Sequence, residues 1–278
     1  MQSSEPLVLI TGSTDGIGLE TARQLARHGA TVIVHGRRPE RVAAARQSVE
    51  SLSGRAMPEP IVADLSSLAS AAGLAAELAR REQFPEVLIN NAGVFMKQLE
   101  LSPDDIELTM AVNHFAPFVL TMALLQQSDC RLRRIINVSS IAHNRGRIDL
   151  DDLTMRKRRF DSYGAYAASK LANVLFTVEL AERLRGKVAV NALHPGVVST
   201  KLLTAGFGME GPDSVADGAA TSVMLALDPA YAHVTGQYFT ARRPAPMSPL
   251  ASDRKLCQDF FAESQRVAAS ALARKPAT

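Results

Sequence analysis

Short apolar runs rich in valine and isoleucine alternate along the chain with longer segments of helical periodicity. Within these runs the apolar residues are consecutive, as expected for strands that are buried on both faces of a sheet. The pattern predicts strands at residues 7–11, 31–36, 60–64, 86–90, 134–140, 187–196 and 236–239. It predicts helices at residues 16–29, 39–54, 66–80, from 102 onward, 162–185 and 213–227.

Residues with special backbone preferences mark several helix ends. Gly29 and Gly54 follow helical segments and suit a left-handed C-terminal position, whereas Pro39 suits the first turn of a helix. Ser102 is a suitable N-cap, and the proline and two aspartates that follow it complement the positive end of a helix dipole. We therefore expect the fourth helix to begin at Ser102.

The order of these elements predicts the fold class. Regular alternation of strands and helices requires right-handed crossovers and produces a parallel sheet with helices on both faces. The predicted class is α/β, a doubly wound parallel sheet (Rossmann) with about seven strands. No internal repeat or linker divides the sequence, so residues 1–278 are expected to form a single domain. Residues 240–278, proline-rich and then helical, are predicted to be a C-terminal appendage.

The composition fits a protein with a sizeable core, because 46% of the 278 residues are hydrophobic and 21% are charged. The net charge of +3 is too small to indicate nucleic-acid binding. The densest basic run, residues 156–159, is expected to be a solvated loop. A polyanion site at this run is the alternative.

Cysteine usage and hydropathy predict a compartment. Cys130 and Cys257 are far apart and neither belongs to a metal-binding spacing, so free thiols in a reducing compartment are expected. The N-terminal residues lack the pattern of a signal peptide. We expect no stretch to approach the ~18 apolar residues of a spanning helix. These observations predict a cytoplasmic protein with no integral membrane segment.

A glycine-rich turn, TGSTDGIG, joins the first strand to the first helix. Gly12 permits a sharp turn, while Gly16 and Gly18 allow the backbone to approach a pyrophosphate at the helix N-terminus. This position after the first strand favours a dinucleotide site over an ordinary glycine-rich turn. The predicted cofactor-binding residues of the turn are Gly12, Ser13, Thr14, Asp15, Gly16, Ile17 and Gly18.

The end of the second strand predicts which dinucleotide binds. An NAD site usually has an acidic residue there to hold the ribose hydroxyls, but this chain has Arg37 and Arg38, with no acid before Glu40. A guanidinium group can bind a 2′-phosphate through two hydrogen bonds. NADP(H) is therefore predicted over NAD(H), unless both arginines are merely exposed to solvent.

The segment YGAYAASK contains candidate acid–base chemistry. Tyr166 and Lys170 are four residues apart and would share one face of a helix, whereas Tyr163 is two turns from the lysine. A nearby ammonium group lowers the pKa of a phenol, and a phenol with a lowered pKa can exchange protons near neutral pH. A surface tyrosine and lysine without function is the alternative.

Six motifs in order along residues 7 to about 240 carry a family resemblance: TGSTDGIG, NNAG, VNHF, NVSS, YAASK and HPGVVST. Together they resemble the short-chain dehydrogenase/reductase family. The stretches GLETARQLARHGA, NVSSIAH, SKLANVLFTVELAERL and HPGVVSTKL resemble, more narrowly, its retinol-dehydrogenase-like branch.

The resemblance implies a catalytic tetrad of Asn113, Ser140, Tyr166 and Lys170. Tyr166 would be the general acid and base, and Lys170 would bind the nicotinamide ribose and lower the pKa of Tyr166. Ser140 would hydrogen-bond the substrate oxygen, since strand alternation points Ser139 the other way. Asn113 would act through a water molecule.

The resemblance also implies further cofactor contacts and an assembly. Asp64, at the end of the third strand, would contact the adenine. The other implied cofactor-binding residues are Leu65, Asn91, Ala92, Gly93, Tyr166, Lys170, Pro195, Gly196, Val198 and Thr200. The family is usually dimeric or tetrameric, which implies a homodimer or homotetramer. The helices that carry Asn113 and Tyr166 have apolar outer residues and are the expected interface.

Two local features near these motifs remain open. Pro117 has no amide hydrogen, so the carbonyl of Asn113 loses its helical partner and either binds water or marks a simple kink. Residues 196–209 are apolar, with Gly206 and Gly208 near their end, and either form a flexible lid or an ordinary packed loop. His143 is a candidate pocket residue, and His194 is expected to be a strand-end residue rather than a catalytic base.

The favoured hypothesis is an oxidoreductase that transfers a hydride between NADP(H) and a carbonyl or alcohol, acting on a small, hydrophobic molecule. A catalytically silent NADP-binding sensor or scaffold of the same fold is the alternative. Nucleic-acid binding through residues 156–159 is a third class, and the prediction is that no nucleic acid binds.

Overall fold

The computed structural model describes residues 5–274. The first four residues, where a leader was judged absent, and the last four of the expected appendage lie outside the described residues. A single α/β domain contains one eight-stranded sheet in the order β3-β2-β1-β4-β5-β6-β7-β8. The strands are β1 Leu7–Ile10, β2 Thr31–Gly36, β3 Ile61–Val62, β4 Val87–Asn90, β5 Arg134–Val138, β6 Ala189–His194, β7 Tyr238–Thr240 and β8 Arg243–Pro244.

The first seven strands are parallel, as predicted. The additional strand, β8, turns back antiparallel to β7. Strand order reverses at β1, which lies between β2 and β4, and this is the arrangement of a doubly wound Rossmann sheet. The predicted fold class is confirmed, and the carboxyl ends of β1 and β4 meet at the reversal point, where such sheets bind ligands.

Helices cover both faces of the sheet. Contacts group α1, α2 and α7 on one face and α3, α5, α6 and α8 on the other, each over a separate hydrophobic core. The helices are α1 Gly16–Arg27, α2 Pro39–Ser53, α3 Leu68–Arg80, α4 Leu108–Met110, α5 Ala116–Leu125, α6 Ser162–Arg183, α7 Val215–Leu227 and α8 Arg254–Ala273. The predicted ends at Gly29 and Gly54 hold, since both adopt positive φ just after a helix.

The prediction that the fourth helix begins at Ser102 is wrong. The Ser102 hydroxyl instead accepts hydrogen bonds from two amides inside a tight turn, in which Asp105 takes a left-handed φ of 65°. The helix begins at Leu108, because the fully buried Glu107 accepts hydrogen bonds from two amides of the first turn. A carboxylate cap five residues downstream therefore outcompetes the serine.

A π-helical turn, Ala111–Phe115, separates α4 from α5. At this turn the amide of Ala116 reaches back to Ala111, one residue further than in an α-helix. Pro117 follows directly, so the irregularity lies where the missing amide hydrogen was expected to disturb the helix. Asn113 occupies the centre of this turn.

The expectation that no stretch has the length and hydropathy of a spanning helix is wrong for Leu108–Leu125. Its 18 residues have a mean hydropathy of 1.6, yet 78% of the segment is buried inside the protein. It packs against α3 and α6 and contributes Phe115 and Phe118 to the larger core. This segment is therefore a core helix of the domain.

The C-terminal helix α8 is part of the larger core rather than an appendage to it. Phe260 and Phe261 are buried on α6, and the Arg183 guanidinium lies 4.1 Å above the Phe261 ring. Ser264 bonds His114 Nε2 at 3.0 Å in the π-helical turn. Apolar outer surfaces of α5 and α6, expected to form a subunit interface, are thus covered within one chain.

The basic run at residues 156–159 is anchored by the protein's own acids. Arg156 pairs with Asp105, and Arg158 pairs with the buried carboxylate of Asp152 at 3.1 Å. That carboxylate also accepts hydrogen bonds from the backbone of the run. Two of the four cations therefore serve the local fold.

Candidate active site

A cavity of about 680 Å³ follows the carboxyl ends of the strands across the reversal point. Its volume is typical of small-molecule and cofactor sites. Most of the predicted site residues line it. They are Gly12, Thr14, Asp15, Gly16, Ile17, Gly18, Arg37, Asp64, Leu65, Asn91, Ala92, Gly93, Tyr166, Lys170, Pro195 and Thr200.

The glycine turn is built by close backbone contacts. Gly12 has a φ of +66°, and a Cβ there would lie 2.9 Å from the Ala92 Cα atom. A Cβ on Gly18 would lie 2.3 Å from the carbonyl oxygen of Gly12. The Asn91 side chain donates hydrogen bonds to the carbonyls of Thr11 and Gly12 and fixes the turn against β4. Glycines here hold the first turn of α1 open toward the cavity.

Ser13 was predicted to bind the cofactor, but the structure places it outside the cavity. Its fully buried hydroxyl donates to the Ile10 carbonyl and accepts from the His35 amide, which joins β1 to β2. The donor and the acceptor of this hydroxyl are therefore both used within the sheet. His35 lines the cavity instead, and its Nδ1 accepts a hydrogen bond from the Gly12 amide. Burial lowers the pKa of His35 to about 4, so the ring is neutral.

Asp15 lines the cavity, but its carboxylate is already engaged. It caps α1 through the Gly16 amide and forms ion pairs with Arg41 and Lys201. These partners, Lys201 first, hold the pKa of Asp15 below its ordinary value. Asp15 therefore positions two cations beside the glycine turn.

The two arginines after β2 are not equivalent. Arg37 lines the cavity, whereas Arg38 lies outside it and precedes α2 as its N-cap residue. Of the two predicted cofactor-binding arginines, only Arg37 therefore borders the cavity. Successive residues at a strand end point in opposite directions, which separates them.

Tyr166 and Lys170 are buried side by side on α6. The Lys170 Nζ atom lies 5.6 Å from the centre of the Tyr166 ring and donates a hydrogen bond to the Val138 carbonyl at 3.0 Å. The two residues are 7% and 3% exposed, and both line the cavity. The ammonium group has further donors, and a Cβ on Gly93 would lie 3.4 Å from its Nζ atom.

The expected acidification of the phenol is not what the structure shows. Burial raises the pKa of Tyr166 to about 12, and a hydrogen bond with Ser140 opposes this only in part. Burial also lowers the pKa of Lys170 to about 8. Desolvation dominates both shifts, so the phenol is protonated at neutral pH.

The side chains of Ser139 and Ser140 have different partners, as expected from the alternation of side chains along a strand. The buried Ser139 hydroxyl donates to the Lys170 carbonyl at 2.8 Å and is not free for substrate. The Ser140 hydroxyl accepts a hydrogen bond from the Ala142 amide and faces Tyr166. Ser140 lies just outside the cavity wall that Ser139 forms.

Asn113 is buried beside the cavity rather than in its wall. Its side chain exchanges two hydrogen bonds with the backbone of Val94 and donates to Ser169 Oγ at 3.0 Å. Ser169 in turn donates to the Tyr166 carbonyl at 2.7 Å. Asn113 thus ties the strand end after β4 to the helix that carries Tyr166.

The loop after β6 is shaped by a residue that sequence reasoning missed. Asp213 accepts a hydrogen bond from the Val197 amide, and a Cβ on Gly196 would lie 2.6 Å from this carboxylate. Gly196 (φ +95°) and Val198 face this support rather than the cavity, contrary to prediction. Val198 is 4% exposed and packs on α7.

The segment Leu202–Phe207 forms a second π-helical turn beside Tyr166. The Phe207 ring centre lies 5.2 Å from that of Tyr166 and 4.2 Å from that of Phe95. Lys201, just before this turn, pairs with Asp15 in the glycine turn. The segment thus contacts both ends of the site.

Several residues that line the cavity were not singled out in the sequence, because their apolar or strand-end character alone does not indicate a site. They include His35, Val94, Met96, Leu101, Val138 and Leu202. His35 and Val138 end strands at the carboxyl edge of the sheet, and that position is the signal that could have found them.

The residues present fit a nicotinamide dinucleotide. The glycine turn leaves space where a Cβ would intrude, Arg37 is positioned for a phosphate, and Asp64 lines the cavity at the end of β3. Lys170, nine-tenths buried and with unused donors, lies at the opposite end.

Comparisons with known proteins agree with this geometry. The short chain dehydrogenase family profile matches residues 6–209. Human retinol dehydrogenase 13 is 38% identical over 278 residues, which cover 94% of this chain and 83% of that protein. A protein of Streptomyces sp. (strain C5) named as a daunorubicin C-13 ketoreductase is 36% identical, over 92% of this chain and 90% of that protein.

A solved structure is similar over most of the chain. A short-chain dehydrogenase of Shigella flexneri 2a str. 301, complexed with NADP, superposes with a TM-score of 0.68. It is 28% identical and covers 86% of this chain and 97% of its own.

Proposed function

Since this chain belongs to the short-chain dehydrogenase family, in its retinol-dehydrogenase-like branch, we propose that it transfers a hydride between NADP(H) and a hydrophobic carbonyl or alcohol. Its family makes it an oxidoreductase acting on CH–OH and C=O groups. The observation that carries the proposal is that Tyr166 and Lys170 both line the cavity while Ser140, just outside its wall, hydrogen-bonds Tyr166.

Tyr166 is the proposed general acid and base. In carbonyl reduction its phenol gives a proton to the substrate oxygen, and in alcohol oxidation the phenolate takes that proton back. The Ser140 hydroxyl donates a hydrogen bond to the same oxygen and stabilises the negative charge that develops there. A pKa raised to about 12 keeps the phenol protonated at neutral pH, so it is in the form that can donate a proton.

The bound cofactor supplies the hydride for reduction or accepts it in oxidation. The chain's own groups bind and orient it. Lys170 offers its unused donors to the ribose hydroxyls, and the amides at the start of α1 face the pyrophosphate. Arg37 is the proposed ligand of a 2′-phosphate, which is why NADP(H) is proposed over NAD(H).

The surroundings of Tyr166 support a hydrophobic substrate. Phe95 and Phe207 pack edge-on against its ring, and Leu202 completes this apolar cluster. Exposed Ile141 and Met209 extend apolar surface beyond it. A substrate that reaches the phenol oxygen must contact these side chains, so apolar aldehydes and ketones are the proposed class.

A cytoplasmic location is also part of the proposal. Cys130 and Cys257 are both free thiols, the first exposed and the second buried. Exposed free thiols are typical of reducing compartments. Recovery of the native protein in a membrane or secreted fraction would contradict this.

The proposed reaction is tested with the Tyr166→Phe variant in a screen of aldehydes, ketones and alcohols with NADPH or NADP⁺. Turnover should fall by at least about 10²-fold, because the proton donor is lost. Tyr163→Phe is the matched control, since Tyr163 lies on the same helix, is 38% exposed, and is expected to leave turnover unchanged.

The alternative, a silent NADP-binding sensor or scaffold, predicts a different result. NADPH would bind to the parent protein, but no compound in the screen would be turned over. Equal turnover by Tyr166→Phe and the parent would instead overturn the assigned role of Tyr166.

A further inference from the structure

His143 lies directly behind the proposed substrate-binding serine. It belongs to the 3₁₀ turn Ile141–Arg145, which begins immediately after Ser140. Its Nδ1 atom is 2.7 Å from the Ser140 carbonyl oxygen, and its side chain is fully buried. The ring is therefore hydrogen-bonded to the backbone carbonyl of Ser140, the residue whose side-chain hydroxyl faces Tyr166.

The second ring nitrogen determines the tautomer of His143. The backbone amide of Ser248 lies 3.1 Å from Nε2 and can only donate a hydrogen bond. Nε2 is therefore the unprotonated acceptor, and the hydrogen of the neutral ring is on Nδ1, where it donates to the Ser140 carbonyl. Protonation of the ring would place a second hydrogen against the Ser248 amide.

The environment of the ring keeps it neutral. Burial lowers the pKa of His143 below its ordinary value. The Tyr238 ring of β7 packs against the His143 ring at a tilt of 49° with 4.5 Å between ring centres, and His194 of β6 is close enough for its charge to be felt. Tyr166 and Lys170 of α6 and the Asp213 carboxylate are the other titratable groups around this cluster. Burial is the main cause of the lowered pKa of His143, and the hydrogen bond with Ser140 opposes it in part.

The 3₁₀ turn is also pressed onto α6. A Cβ on Gly146, at its end, would lie 2.5 Å from the Ala167 carbonyl oxygen and 2.7 Å from the Leu171 Cβ atom. These residues follow Tyr166 and Lys170 directly. With its carbonyl held by His143 and its Oγ accepting from the Ala142 amide, Ser140 keeps its hydroxyl hydrogen free to donate.

We propose that His143 is a positioning residue that orients Ser140 toward the substrate oxygen, and that the Ser248 amide orients His143. This proposal rests on the proposed function of Ser140. It makes the C-terminal segment, which lies beyond residues 6–209 of the family match, a structural part of the active site.

Ser248 permits a test of this N–H donor. Its φ of −50° is compatible with proline, and Ser248→Pro replaces the N–H by a ring methylene that cannot approach Nε2 as closely, so it breaks the hydrogen bond and pushes the His143 ring away. Its hydroxyl makes no capping bond, so Ser248→Ala keeps the amide and is the matched control.

Carbonyl reduction should distinguish the two variants. For Ser248→Pro we expect kcat to fall by about 10²-fold, as for other small misplacements of a reacting group, with the Kd for NADPH unchanged. An acid-side break should appear in its pH profile, because Nε2 is released for protonation. Ser248→Ala should match the parent in both respects.

Substitution of the ring itself provides a second test. His143→Asn keeps a donor near the Ser140 carbonyl and should retain kcat within about fivefold, whereas His143→Leu should lose about 10²-fold. Equal kcat values for Asn and Leu, or for Ser248→Pro and Ser248→Ala, would overturn the positioning role. Turnover that remains sensitive to Tyr166→Phe would leave the proposed function intact in that case.

A readout without turnover makes the proposal independent of the assay substrate. In protein with ¹⁵N-labelled histidine, His143 should show the Nδ1–H tautomer, and Ser248→Pro should change the Nε2 signal. An Nε2–H tautomer in the parent would overturn the proposal. A parent protein without any turnover would overturn the proposed function and this inference with it.

Discussion

At the scale of single residues, burial has a larger effect on the site than charge pairing. The Tyr166 and Lys170 side chains are adjacent, yet desolvation favours the neutral form of each. It raises the pKa of Tyr166 and lowers the pKa of Lys170. A lysine amine near a phenol stabilises the phenolate only while the amine is protonated. The charge on Lys170 should therefore depend on pH within a range accessible to experiment.

Binding of NADPH should weaken as pH rises through about 8. Below that value Lys170 is charged and attracts the cofactor, and above it the free protein loses the charge, because the pKa of Lys170 is lowered to about 8. The affinity for NADPH should therefore fall progressively above this pH. Titration of NADPH fluorescence measures it.

Lys170→Met is the control for this prediction, and it should bind NADPH weakly with no break near pH 8. A flat affinity profile for the parent between pH 7 and 9 would contradict the assigned charge state.

Arg37→Asp should change the cofactor preference, whereas Arg38→Asp should not. Only Arg37 lines the cavity, and a hydrogen bond to a charged group contributes about 1.5–3 kcal/mol. The KM for NADPH should rise by about ten- to a hundredfold, with the KM for NADH nearly unchanged. Steady-state kinetics with both cofactors measures this, and equal KM values in the parent would remove the basis for NADP(H).

At the scale of elements, the irregular helical turns serve the site. The π-helical turn Ala111–Phe115 places Asn113 against Val94 and Ser169 while turning His114 toward Ser264 of α8. An unbroken α-helix would rotate these two neighbours differently. This one irregular turn therefore connects α6, which carries Tyr166, with the C-terminal helix α8.

Phe260→Ala should destabilise the whole domain. Phe260 of α8 is fully buried against His114. Loss of a buried phenylalanine side chain lowers the free energy of unfolding by about 3–5 kcal/mol. Leu272→Ala on the same helix is the control, since Leu272 is 42% exposed and should change stability by less than about 0.5 kcal/mol. Urea denaturation measures both, and a small effect of Phe260→Ala would support a loosely attached C-terminal segment.

At the scale of the whole molecule, α8 covers surfaces that were expected to join subunits. Phe118, Phe176 and Phe261 pack together with ring centres 5.1–6.1 Å apart, so the apolar outer faces of α5 and α6 are buried within one chain. The homodimer or homotetramer expected from family resemblance would need another surface. An exposed apolar face is the usual driving force for such assembly.

We expect the protein to be monomeric in solution, with a mass near 29.9 kDa by light scattering. The reason is that α8 already buries the predicted interface. A dimer or tetramer that persists on dilution, with α6 protected from hydrogen exchange only in the assembly, would show that α8 is displaced.

Sequence alone was sufficient for the doubly wound parallel sheet and for placing Tyr166 and Lys170 on one helix. These features depend on local patterns: consecutive apolar residues, glycines at turns, and a spacing of four on a helix. The opposite orientations of Ser139 and Ser140 also follow from strand alternation, which is a local rule.

The tertiary structure decided what depends on distant neighbours. It placed Ser13 and Arg38 outside the cavity wall and His35 in it, revealed Asp213 as a support of the loop after β6, and shifted a helix start to the buried cap Glu107. It also reversed the expected pKa of Tyr166 and brought Ser248 to His143, across 105 residues of chain. Burial and long-range hydrogen bonds are properties of the packed molecule, and no pattern along the chain encodes them directly.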